Sequence, residues 1–273
     1  MKTTAKAGRT RFQSGAHSYA AYLKTPEGRL RSDLAFVNLR EFLPRSKRSL
    51  RALDVGGGTG ATAVRLARLG LHVTLLDSAP AMLEISKHAA QEAGLAAKIA
   101  LTHGDAAHAV RLFRARSFDV IVCHNLLEYL DHPGEVLRAV ARLLRGPASV
   151  LSLLVRNQAG EVFKTAIQGG DLAAARRCLA AQWGRESLCG GRVRLFTPQA
   201  VQALLQAASL TVAATRGVRV VSDYLPPRVS RTARYGQILE LERRLGNRPQ
   251  FAAVARYTQY FAGRAHSLRE ESR

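Results

Sequence analysis

The sequence predicts an α/β protein built on a doubly wound, seven-stranded and mostly parallel sheet, with a helical cap inserted after the fifth strand. Three observations carry that expectation. From Leu50 to Val155, short apolar runs alternate with helical stretches closed by glycine or proline, the signature of right-handed βαβ units. A glycine cluster, Gly56-Gly57-Gly58-Thr59-Gly60, sits directly after the first apolar run, where an open sheet turns into its first helix. The alternation breaks over residues 156–194 and resumes with two more apolar runs, which fit a sheet with one antiparallel strand near its edge.

The elements follow in order. Residues 1–15 read as a flexible basic arm. Leu30, Leu34, Val37 and Phe42 fall near helical spacing, so Glu27–Phe42 is expected as a helix ended by Pro44. Strands are expected at Leu50–Val55, Leu71–Leu76, Ile99–Thr102, Phe118–Cys123 and Val150–Val155, with helices at Ala61–Leu69, Pro80–Ala93 and Pro133–Leu144 between them. Residues 156–194 hold an alanine-rich helical stretch and the turns Gly169-Gly170 and Gly190-Gly191, too much chain for a simple connection. Thr197-Pro198 then caps and opens a helix running to Ala208. A long strand at Leu210–Val221, a helix at Tyr235–Leu245 and a last strand at Phe251–Phe261 complete the pattern. The organisation expected is an arm and helix over 1–48, a nucleotide-binding core over 49–155, a cap over 156–196, the rest of the sheet over 197–263 and a tail over 264–273.

Composition narrows the function. No run of 18 uncharged apolar residues appears, which argues against a membrane span, and the basic, polar start lacks the apolar stretch of a secretory leader. Cys123, Cys178 and Cys189 have no C-x-x-C spacing, so reduced thiols, a cytoplasmic setting and no bound metal are expected. The net charge of +21 is unevenly placed. Residues 1–51 hold twelve Lys/Arg against three Asp/Glu, residues 52–150 ten against nine, and residues 151–273 nineteen against eight. A codon bias toward arginine and alanine would spread that excess, whereas basic flanks around a near-neutral core point to nucleic acid. Oligomeric state is left open.

The residues that carry chemistry lie at successive strand ends. Leu53-Asp54-Val55-Gly56-Gly57-Gly58-Thr59-Gly60 puts glycine where the chain must turn sharply and let a ligand touch backbone. The dinucleotide pattern G-x-G-x-x-G is not met, because its third glycine falls on Ala61 or Thr62. Asp77 ends the second strand, where a carboxylate can accept both ribose hydroxyls. Gly104-Asp105-Ala106-Ala107 follows the third strand, with Asp105 placed to accept an adenine amine. Val122-Cys123-His124-Asn125 ends the fourth.

This series resembles the class I S-adenosylmethionine-dependent methyltransferases, a Rossmann-like family. More specifically, the chain resembles the bacterial tRNA 5-carboxymethoxyuridine methyltransferases from about Tyr22 to Tyr260. Thr25-Pro26-Glu27-Gly28-Arg29-Leu30-Arg31, His124 with Leu127-Glu128, Asn157, Arg216-Gly217-Val218-Arg219-Val220 with Asp223-Tyr224-Leu225, and Arg256-Tyr257 carry that resemblance. It implies S-adenosylmethionine as cofactor, a tRNA partner, and cofactor contacts from Arg31, Gly57, Gly58, Asp77, Ala106, Ala107 and His124. The generic motif adds Gly56, Gly60 and Asp105. Ala107 stands where the family carries a polar residue, and residues 172–194 match it poorly.

A carboxylate acceptor is ionised at neutral pH and needs no general base. An arginine fork should hold it instead. Arg219 is the first choice and Arg156 the second, with Tyr224 positioning the base by stacking or hydrogen bonding. His124 is read as positioning the cofactor, with Glu128 either orienting it or lying on a solvated helix. Two other readings remain at this point: a methyltransferase for a small molecule such as a quinone precursor or secondary metabolite, and a cofactor-binding protein without catalysis.

Overall fold

A computed structural model of the chain describes residues 4–185, 188, 190–226 and 234–264, the side chains of residues 4–10 excepted. Its centre is a seven-stranded sheet. Strands β1 (Arg51–Val55), β2 (His72–Asp77), β3 (Ile99–His103), β4 (Val120–His124) and β5 (Val150–Arg156) are joined by helices α3 (Ala61–Arg68), α4 (Pro80–Glu92), the short α5 (Ala109–Leu112) and α6 (Pro133–Leu143). These five strands are parallel. Strand β9 (Tyr257–Arg264) lies antiparallel between β5 and β8 (Leu210–Val218), so the order is β3-β2-β1-β4-β5-β9-β8. The order reverses between β1 and β4, and the carboxyl ends of those two strands open the crevice that such sheets use for ligands.

Both sheet faces are buried, as the continuous apolar strands require. One face packs Leu53, Ile121, Leu151 and Leu153 against Val136, Leu137 and Val140 of α6 and against Val201 and Leu205 of α9 (Pro198–Ala207). The other packs Ala52, Leu75 and Val122 against Ala63 and Leu66 of α3, with Leu39 of α2 (Pro26–Glu41). Cys123 is buried in the first cluster, where burial pushes its thiol far up. Cys178 is half-buried and free, and Cys189 lies outside the described residues.

The structure corrects four expectations. The first segment is not a flexible arm: Thr4–Lys24 forms one helix, α1, whose Phe12, Ala16 and Tyr19 pack against Ala79 and Met82 beside the crevice. The basic, polar composition of residues 1–15 hid this, because after Met1 only Phe12 is a large apolar side chain there to mark a buried face. The Leu210–Val221 strand stops at Val218 because Arg219 takes the left-handed conformation, φ 62°. The Phe251–Phe261 strand begins only at Tyr257, since Pro249–Ala252 forms a helical turn, α11. The cap is not wholly helical. After α7 (Gln158–Ile167) and α8 (Leu172–Cys178), strands β6 (Trp183–Arg185) and β7 (Arg192–Arg194) pair in a separate antiparallel ribbon.

The turn at Arg219 is held from outside. Glu242, on α10 (Tyr235–Gly246), is fully buried and its carboxylate accepts the backbone N–H groups of Val220 (2.5 Å), Val221 (3.0 Å) and Ser222 (2.6 Å). The Arg219 carbonyl accepts from the Arg256 amide at 2.8 Å. A left-handed non-glycine residue persists only where its surroundings dictate it, and these bonds supply that constraint. Glu242→Ala strips three donors of their acceptor and is expected to destabilise the fold by about 3 kcal/mol. Urea unfolding measures this; a loss below about 1 kcal/mol would mean that the turn holds itself.

Candidate active site

The crevice is built on the loop after β1. Gly56 and Gly58 have φ of 66° and 54°, a region that side chains resist. A Cβ on Gly57 would lie 2.5 Å from the Leu75 side chain, whereas one on Gly58 would meet nothing nearer than 3.9 Å. Gly58 therefore presents bare backbone to an open face. Its N–H donates to Asp77 Oδ2 (2.9 Å) and the Ala79 N–H to Oδ1 (2.9 Å), which fixes the carboxylate at the end of β2. Burial raises the Asp77 pKa, and these backbone donors oppose the rise. Deeper in, Asp54 Oδ2 is buried with no hydrogen-bond partner, and burial followed by the Asp77 charge pushes its carboxyl up to about 7.

Arg31, Gly56, Gly57, Gly58, Asp77, Asp105, Ala106 and His124 all line one cavity. Two sequence candidates do not. Gly60 (φ 76°) caps the start of α3 without facing the cavity, and Ala107 contributes an N–H that caps Asp105 Oδ1 at 2.9 Å. Ala107 is thus a support for Asp105 rather than a wall of the cavity.

His124 ends β4 and is fixed by a buried chain of amides. Asn38 Nδ2 donates to Gln259 Oε1 (3.0 Å), and Gln259 Nε2 donates to Ala35 O (3.0 Å) and to Ser152 Oγ (2.9 Å). Ser152 Oγ lies 2.8 Å from His124 Nε2. With Oγ accepting from Gln259, its hydroxyl proton is available to Nε2, which leaves the imidazole proton on Nδ1. Burial, reinforced by Arg31, pushes the His124 pKa down to about 3, so the ring is neutral. Glu128 neither orients His124 nor faces solvent. It is buried, accepting from Asn125 Nδ2 (3.0 Å) and the Arg156 N–H (2.9 Å).

A second cavity adjoins the first through Tyr19, Arg31, Asn125 and Tyr129, which line both. Arg156, Arg219, Arg256, Lys164 and Tyr257 form its inner wall. Arg219 sends Nε (2.7 Å) and Nη2 to Asp223 Oδ1 and Nη1 to the Tyr22 hydroxyl (3.2 Å). Arg256 is ion-paired with Glu161, and Arg156 Nε lies 3.7 Å from the same carboxylate. That Arg156 Nε is buried without a hydrogen-bond acceptor. Arg31 donates to the Tyr19 hydroxyl (2.9 Å) and lies over the rings of Tyr22 and Tyr257. Tyr224 is not at this wall: its hydroxyl donates to the Gly160 carbonyl at 3.4 Å.

Sequence reasoning missed Phe12, hidden in the supposed arm, Tyr19, which lies between that arm and the expected helix, and the Ser152–Gln259 pair, whose polar side chains look like strand ornaments until β5 and β9 are paired. It gave Arg256 and Tyr257 no role. Among the described residues no group of ligands suits a metal ion, and no helix is long and apolar enough to cross a membrane.

A methyltransferase-domain family model matches residues 53–151, and the fold with this crevice defines a class I S-adenosylmethionine-dependent methyltransferase. The tRNA 5-carboxymethoxyuridine methyltransferase of Escherichia coli K12 is 30% identical over 89% of this chain and 91% of its own. The chain belongs to that family. A ubiquinone biosynthesis O-methyltransferase of Xanthomonas axonopodis pv. citri is 32% identical over 45% of the chain and 50% of its own length. Magnesium protoporphyrin IX methyltransferase from Synechocystis PCC 6803, solved with bound SAH, shares the fold at a TM-score of 0.60 and 15% identity, covering 96% of this chain and 100% of its own. S-adenosylmethionine is the cofactor, and the crevice fits it. The bare face at Gly58, the anchored Asp77 carboxylate and the orphaned Asp54 oxygen are the residues that would hold it, through close approach, ribose acceptors and an unpaired acceptor for a cationic group.

Electrostatics of the second cavity yield a direct test. Burial alone would raise the Tyr257 phenol, but Arg31, then Arg156, Arg219 and Arg256, pull it down to about 7. Tyrosinate absorbance should therefore appear as pH rises through about 7, far below the ordinary tyrosine range. Tyr257→Phe should remove that step from the ultraviolet titration. A titration in which no tyrosine ionises below pH ~9 would refute this electrostatic account.

Proposed function

We propose that the protein methylates the carboxylate of 5-carboxymethoxyuridine at the wobble position of tRNA, forming its methyl ester. The observation that carries this reading is the arginine-walled cavity joined to the cofactor crevice. Four arginines and Lys164 face the inner carboxylates Glu128, Glu161 and Asp223, which leaves a positive excess out of water. Such an excess favours an incoming anion, and a planar guanidinium matches a carboxylate in particular. Arg156, with its Nε lacking an acceptor, and Arg219 are the residues assigned to hold that group. Tyr224 does not line this cavity, and its hydroxyl is turned to the Gly160 carbonyl.

The chemistry asked of the chain is modest. The cofactor, when bound, supplies an electrophilic methyl group on a sulfonium centre. An ionised carboxylate needs no base, and neutral His124, locked by Ser152, is suited to orient rather than to accept a proton. The residues act by alignment and by excluding water, which supply much of the rate in a displacement. The name of the Escherichia coli relative and the basic flanks of the sequence support tRNA as carrier of the acceptor. Methylation of a quinone-like small molecule is the competing reading, supported by a relative that matches under half of the chain.

Nucleoside mass spectrometry of tRNA from a strain lacking the gene should show 5-carboxymethoxyuridine without its methyl ester. Unchanged ester would sink the proposal. With purified protein, Arg219→Ala should lower turnover at least tenfold with cofactor binding retained, whereas Asp77→Ala should weaken cofactor binding itself. Calorimetry and a tritiated-methyl assay separate the two effects. Affinity for tRNA should fall steeply between about 50 and 200 mM salt; activity on free nucleoside with no salt dependence would favour the small-molecule reading.

A further inference from the structure

The cap ribbon has two unlike faces. Its register pairs Trp183 with Arg194, Gly184 with Val193 and Arg185 with Arg192. Side chains alternate across a strand, so Gly184 and Val193 share the inner face. Val193 is buried there and lines the second cavity, and Leu195 packs over Gly184. Trp183, Arg185, Arg192 and Arg194 share the outer face. The guanidinium groups of Arg192 and Arg194 lie over the Trp183 ring, 4.7 and 4.6 Å from its centre. Arg185 and Arg192 are exposed, and Trp183 is partly so.

The ribbon is also tied to the site. Arg156 of the second cavity donates through Nη1 to the Arg185 carbonyl (3.3 Å), and Arg11 of α1 donates to the Arg192 carbonyl (3.3 Å). Arg194 reaches the Asp131 carbonyl beyond β4 (3.4 Å). A cationic face carrying one flat ring therefore stands on a ribbon whose Val193 lines the acceptor cavity.

We infer that the outer face of the β6–β7 ribbon is a docking surface for single-stranded RNA, on which an unpaired base next to the target nucleotide stacks against Trp183 and its arginines. Aromatic rings interleaved with cations bind unpaired bases in this way, because every base has a π-face and every linkage a negative charge. The inference rests on the reading of an RNA-borne acceptor given above, and it adds where the flanking nucleotides lie.

Trp183 is the chain's single tryptophan, so its fluorescence reports this face without any substitution. The full-length protein is titrated with an anticodon stem-loop RNA carrying 5-carboxymethoxyuridine, and with a blunt RNA duplex of equal length. Labelled copies of both report binding independently by anisotropy. The expected result is tryptophan quenching by the stem-loop that saturates with the anisotropy curve, and little quenching by the duplex. Trp183→Ala should weaken stem-loop binding about tenfold or more, and Trp183→Phe should restore most of it. Stem-loop binding with unchanged fluorescence overturns the docking face and leaves the RNA-borne acceptor standing. Equal quenching by the duplex overturns the stacking. No binding of either RNA overturns both.

Discussion

Keeping four guanidinium groups out of water at one end of a sheet is the constraint on which the site depends. Charges of this kind are costly to bury unless paired and hydrogen-bonded. The chain meets the cost with Glu161 and Asp223, with tyrosine hydroxyls and ring faces, and with a phenol pulled toward ionisation. None of these partners comes from the nucleotide-binding core. Glu161 belongs to the cap, Asp223 follows β8, Tyr19 and Tyr22 belong to α1, and Tyr257 opens β9. The cavity is consequently built largely from segments added around the core, to which the core adds Asn125, Glu128 and Tyr129.

That arrangement explains why backbone strain collects at Arg219. A strand continuing straight past Val218 would carry the arginine away along the sheet edge. The left-handed turn, with Glu242 accepting three backbone N–H groups, instead turns the side chain toward Asp223 and Tyr22. A buried carboxylate outside the site thus sets the direction of a side chain within it. His124 is governed in the same manner from behind, through Ser152, Gln259 and Asn38. In both cases the group that faces the ligand is positioned by a polar contact formed between elements distant in sequence.

Helix α1 joins the two halves. Phe12 and Tyr19 close the cofactor side, Tyr19 and Tyr22 steady Arg31 and Arg219, and Arg11 meets the cap ribbon. Before Tyr19 its only large apolar side chain is Phe12, set among basic, polar and small residues, so its start reads as a solvated arm when the chain is considered alone. The helix is supported by tertiary contact with α4 and α2 rather than by strong amphipathic pattern.

By itself the sequence determined the doubly wound sheet, its seven strands, the Gly56–Gly58 turn and Asp77, Asp105 and His124 at successive strand ends. These features are local: apolar periodicity, glycine placement and the rule that ligands bind at carboxyl ends need only neighbouring residues. It also singled out Arg219 and Arg156, though through resemblance rather than physics. Only the tertiary structure decided that Thr4–Lys24 is a helix, that the strand breaks at Arg219, that Tyr224 turns to Gly160, and that Tyr257 stands among four arginines. Each of those depends on charges, side chains and backbone groups that the fold brings together from separate segments of the chain, or on turns held by such contacts. Periodicity carries no record of which partner will arrive to neutralise a buried charge.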